Sequence, residues 1–276
     1  MQRALLYPES LVCGISLAPA YLSRAALDSL LDEVARREGT LRGSIAANAA
    51  RYLPRQSRWT PVRIWFVTSS RWSFDAVTYG EDGEGAPVVI VNATGILEYE
   101  GSARERVDAL EHVLAHESFH AALRQVARGA RGWASYFPRA VSANAYIARI
   151  LLDEGVGHYV DWRDRPGADT LFTPRPGKRE KHVFSTLALV AKRLSRSEDP
   201  GARAELLQLA STGPMWGKYG AISGMFAAYR IESRLGVDSL RTAVAGGPRE
   251  FLRMYRALAL ADTALGRMPE QFSRTR

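Results

Sequence analysis

The sequence predicts an α+β fold in which helices predominate. Segments of period-two hydrophobicity are few and short, and they all fall between residues 62 and 92. From Ser102 onward the spacing of apolar residues is helical almost to the end of the chain. A small run of strands followed by many helices, without βαβ alternation, argues against a parallel α/β sheet.

The elements follow in order. Residues 22 to 37 place Ala26, Leu27, Leu30, Leu31 and Val34 at helical spacing, and a second short helix is expected over 41 to 52. After Pro61 the period changes: Val62, Ile64 and Phe66 share one face of a strand, Ala76 and Val77 mark a second, and PVVIVN (87 to 92) a third. The glycine-rich GEDGEG at 80 to 85 reads as the loop between the last two. Ser102 and Glu105 form a capping-box pattern that starts a helix with Val107, Leu110, Leu114 and Ala121 as its buried stripe, ending near Gly129. Further helices are expected at 138 to 163, 180 to 196, 201 to 211, 214 to 235 and 248 to 261, with 164 to 179 as a long loop. The organisation is thus an N-terminal helical segment (1–60), a sheet with its following helix (61–130) and a helical subdomain (131–276), working as one unit.

Composition narrows the function classes. With 276 residues, 46% of them hydrophobic, a large core is affordable. The 37 Lys and Arg against 29 Asp and Glu give a net charge of +8, but no run of about five like charges occurs, which argues for a solvated face and against a nucleic-acid-binding module. No apolar run reaches the roughly 18 residues of a membrane span. The lone Cys13 excludes an internal disulfide and a multi-cysteine zinc knot, so any metal must be held by nitrogen and oxygen. Arg3, the run Leu11 to Ala18 and Ala18-Pro19-Ala20 make a weak export signal that Pro8 and Glu9 interrupt; a cytoplasmic location is slightly favoured. Oligomeric state is left open.

The chemistry-bearing stretch is LAHESFHAAL, residues 114 to 123, where His116, Glu117 and His120 spell H-E-x-x-H. On a helix, positions i and i+4 project from one face, so both imidazoles can bind one tetrahedral ion while Glu117, on the adjoining flank, reaches a metal-bound water. His112 lies eight residues from His120, about 12 Å along the axis against zinc–nitrogen bonds of about 2 Å, so it cannot join the same ion. Leu123 and Val126 stand where the metzincin continuation requires Gly and His, which excludes that class. A di-iron bundle would need a second E-x-x-H pair, and neither Glu154 nor Glu180 begins one. One Zn2+ ion is therefore expected.

Downstream, ILLDEGVGHYVDW (150 to 162) places Glu154 on a second expected helix, where Gly155 and Gly157 would allow close approach to the first. Here the sequence resembles the gluzincins, the thermolysin-like clan of zinc peptidases, in which HExxH is followed by a glutamate ligand on the next helix. Glu154, Gly155 and Tyr159 match an E-G-x-x-x-Y phrase found among zinc peptidases of that clan. The resemblance covers roughly 62 to 260 in layout. It implies a zincin-like domain, with His116, His120 and Glu154 as ligands and Glu117 as general base; apart from the resemblance, His158 is the alternative third ligand and a salt-bridging surface carboxylate the alternative role for Glu154. It implies a peptide or protein substrate, hydrolysed by Glu-assisted attack of the metal-held water. Thermolysin-type enzymes place Asp four residues after the ligand Glu; His158 stands there instead, so the group orienting a ligand histidine is open among Asp153, His158 and Asp161. Tyr219, and on the same face Arg230, are candidate oxyanion donors by the same resemblance. PVVIVN occupies the place of the cleft-edge strand and would pair with an extended peptide. A catalytically silent zinc-binding scaffold of the same fold is the alternative reading.

Overall fold

A computed structural model describes residues 11–12, 15–16, 23–69, 74–79, 86–136 and 142–273. The export-signal segment lies outside the described residues except for the short strands β1 (Leu11–Val12) and β2 (Ile15–Ser16), which pair antiparallel. Cys13 and the GEDGEG loop also lie outside them. The chain forms two compact units, one of Met1–Ala49 and Thr60–Ala122, the other of Ala50–Trp59 and Leu123–Arg276.

The first unit begins with α1 (Arg24–Ala50), a single helix where two were expected. Gly39 and Thr40 look like a break in the sequence, yet glycine inside a helix costs only about 1 kcal/mol. Leu30 before it and Leu41, Ile45 and Ala49 after it are all buried, and that burial outweighs the propensity cost. Three strands follow: β3 (Arg63–Val67), β4 (Ala76–Tyr79) and β5 (Val88–Asn92), in the order β3-β5-β4. β5 runs parallel to β3 and antiparallel to β4. PVVIVN is therefore the central strand, hydrogen-bonded on both sides, and cannot accept a further strand as the sequence suggested. Its uninterrupted burial from Val89 to Asn92 explains the misreading: a strand covered on both faces shows a solid apolar run whatever its place in the sheet.

Asn92 caps the short helix α2 (Ala93–Leu97), accepting from Thr94 N, and α3 (Ala103–Ala127) follows. The capping box forms as expected: Glu105 Oε2 accepts from the Ser102 backbone N–H at 2.7 Å, and Glu105 N donates to Ser102 Oγ at 3.4 Å. Leu30, Leu41 and Ile45 of α1, Ala76, Val89 and Val91 of the sheet, Ile96 of α2 and Val107, Leu110 and Leu114 of α3 make one hydrophobic core.

The second unit is helical among its described residues. It contains α4 (Ala143–Trp162), the short α5 (Ala168–Leu171), α6 (Lys178–Arg196), α7 (Pro200–Gln208), α8 (Tyr219–Leu235), α9 (Val237–Gly246) and α10 (Pro248–Ala261). α9 was not evident in the sequence; only Leu240, Ala243 and Val244 carry its buried face, and Gly236 (φ 86°) and Gly247 (φ 80°) bound it in left-handed backbone. α4 and α8 cross backbone to backbone: a Cβ on Gly224 would lie 1.9 Å from the Leu151 carbonyl oxygen, and one on Gly155 would lie 2.5 Å from Gly224 Cα.

Candidate metal centre

Within α3 the two motif histidines behave as helix geometry dictates. His116 and His120 are buried (8% and 3% exposed), and their Nε2 atoms face each other at 2.9 Å. The rings meet edge to face, with centroids 4.6 Å apart. Two imidazole nitrogens so close need either one shared proton or a common cation between them. On a tetrahedral zinc with bonds of about 2.0 Å they would stand about 3.3 Å apart, so a slight opening of the pair admits the ion. The donor set fits zinc.

Glu117 is half-buried on the adjoining flank and meets a residue that no sequence pattern singled out. Thr78 Oγ1, on β4, lies 2.7 Å from Glu117 Oε2 and 2.8 Å from the Glu117 backbone oxygen. The only sequence signal was that Ala76 and Thr78 share a face at period two; both are 8% exposed. His112 is half-buried on the same helix.

In the second unit, Glu154, His158 and Asp161 fall at i, i+4 and i+7 of α4 and so share one stripe. Glu154 is half-buried; His158 and Asp161 are 7% exposed, and Asp153 beside the stripe is 8% exposed. Arg165 Nε donates to Asp161 Oδ1 at 2.9 Å. Gly155 serves a purpose other than the one expected from the sequence, since the backbone it admits is that of Gly224 in α8.

Tyr219 and Arg230 are both engaged in packing within this unit. The Tyr219 hydroxyl donates its one proton to the Leu206 carbonyl at 2.7 Å, and burial pushes its pKa well above the ordinary range. Arg230 is 1% exposed and forms a forked pair with Glu180, Nε to Oε1 at 3.0 Å and Nη2 to Oε2 at 2.5 Å. Its Nη1 donates to the carbonyls of Thr173 and Pro174 at 2.8 and 3.0 Å. Burial alone would lower its pKa, but the Glu180 bonds and charge outweigh that and raise it. A guanidinium with all three nitrogens hydrogen-bonded ties the 164–179 loop to α6 and α8.

In the first unit His116 and His120 offer two nitrogen donors to one ion, and in the second Glu154, His158 and Asp161 offer further donors along one stripe of α4. A family model described as "Putative zinc dependent peptidase (DUF5700)" matches residues 21–264. No curated protein and no solved structure matches the chain.

Proposed function

We propose, given that the chain belongs to the DUF5700 zinc-peptidase family, that it hydrolyses peptide bonds at a zincin-like centre of gluzincin type. In this reading His116, His120 and Glu154 hold one zinc ion and Glu117 is the general base. The observation that carries it is the buried pair of Nε2 atoms 2.9 Å apart, one turn of helix from each other and next to a carboxylate. Glu154 is taken as the third ligand because the resemblance puts a glutamate on the helix after HExxH, and because Asp161, further along the same stripe of α4, is a carboxylate that Arg165 already engages. Two histidines and a glutamate also leave a coordination position open, as a catalytic site needs.

A bound zinc ion supplies a Lewis acid that polarises a carbonyl and makes water acidic near neutral pH. Glu117 takes the proton from the attacking water and delivers it to the leaving amine. Substrate is placed by β4, the strand next to the motif helix in the first unit. Asn92 N donates to Asp75 O at 2.8 Å. With Ala76 paired to Val91 and Thr78 to Val89, that bond makes these two pairs the non-hydrogen-bonded ones. The N–H and C=O groups of Ala76 and Thr78 therefore point away from β5. No other strand among the described residues covers that edge, and an extended peptide can add to it through main-chain bonds.

Metal analysis with a peptide-library assay tests the reading. One zinc per chain, lost in His116→Ala and kept in Glu117→Gln, with hydrolysis lost in both, is the expected result. Turnover surviving in Glu117→Gln would remove the assigned base; a zinc-loaded parent that cleaves nothing would leave a silent scaffold.

A further inference from the structure

We infer that Thr78 is a positioning residue for Glu117, fixing the carboxylate through Oε2 while its own main chain faces the open edge of β4. The inference rests on the proposed reading of Glu117 as base. The hydroxyl lies 2.7 Å from Oε2 and 2.8 Å from the Glu117 backbone oxygen, so both ends of the glutamate are gathered by one side chain. A hydroxyl has a single proton to donate. The backbone oxygen sits inside α3, where the helix ladder supplies a donor, so the carboxylate has the stronger claim, and an O–H bond to an ionised oxygen is about twice as strong as a neutral one.

The placement is rigid for reasons local to the first unit. Threonine is β-branched and stiff at χ1, and its strand position is set by pairing with Val89 in the buried centre of the sheet. A glutamate has three side-chain torsions, and the bond from the Thr78 hydroxyl narrows the rotamers open to its carboxylate. The same residue turns its main chain to the substrate edge, so peptide and base are registered against one another by a single position of β4. A misplacement of about 1 Å in such a constellation can cost about a hundredfold in rate.

The zinc-loaded full chain carrying Thr78→Val or Thr78→Ser tests this. Thr78→Val is expected to keep one zinc and its melting temperature, to lose about tenfold to a hundredfold in kcat, and to hold KM. Thr78→Ser, which restores the hydroxyl, is expected to recover most of the loss. Valine at full kcat, or serine as poor as valine, overturns the inference, the latter by assigning the effect to the packing of the methyl group. A second readout is independent of turnover: crystal structures of parent and Thr78→Val. Oε2 bonded to the hydroxyl in the parent and displaced in the valine variant supports the inference. A parent in which Oε2 turns away from Thr78 overturns it. A parent that binds zinc but cleaves nothing sinks the proposed function, while the crystallographic comparison still decides the contact.

Discussion

Arg230 and Glu180 form an ion pair in the interior of the second unit. Each is 1% exposed, and neither charge could be buried there alone. Glu180→Leu is expected to destabilise the protein by about 3–5 kcal/mol, because the guanidinium is left with carbonyl partners only. The double change Glu180→Leu with Arg230→Met should recover most of that loss. Urea titrations of the parent, the single and the double variant measure the difference; equal losses in the two variants would mean that shape, not charge, fixes the site. At this scale the sequence was a good guide to His116 and His120, whose relation is set by one turn of one helix. It was silent about Thr78, because the strand's contact with Glu117 spans 39 positions of chain.

Among the elements, α1, α3 and the α4–α8 crossing each make a prediction. Gly39 in α1 is exposed, and a Cβ there would meet nothing within 4 Å. Gly39→Ala should therefore stabilise by about 0.5–1 kcal/mol, seen as a higher denaturation midpoint. Gly224→Ala has the opposite sign, since its Cβ would fall 1.9 Å from the Leu151 oxygen. The two helices must separate to admit it, and a loss of more than about 3 kcal/mol, or failure to fold, is expected in a thermal melt. At the start of α3, the backbone bond from Ser102, then the Ser102 hydroxyl, lowers the Glu105 pKa below its ordinary value of 4.5. A lowered folded pKa gives stability that is fully present above the ordinary value and lost as pH falls through the lowered one. Glu105→Gln should therefore lose less stability than the parent between about pH 5.5 and about pH 3. Helix existence was readable from apolar spacing, but strand order was not. β5 is central because β3 and β4 both pair with it, and no local pattern distinguishes a covered edge strand from a middle one.

For the whole molecule, an ion held only by the folded state raises stability with its concentration. Zinc at about a thousand times its dissociation constant should add about 4 kcal/mol to the parent, and His116→Ala should show no such dependence in a melting series. No described helix is long and apolar enough to cross a membrane, in keeping with the hydropathy of the sequence. The sequence by itself determined the α+β class with helices in excess, the capping of α3 and the pairing of two imidazoles, since all of these depend on residues within a turn or two of each other. Only the tertiary structure decided that PVVIVN is covered on both sides, that Gly155 admits α8, that Arg230 closes an ion pair, and that Thr78 meets Glu117. Each of these depends on which distant backbone arrives alongside, a matter settled by the burial of the whole core and not by the spacing of neighbours along the chain.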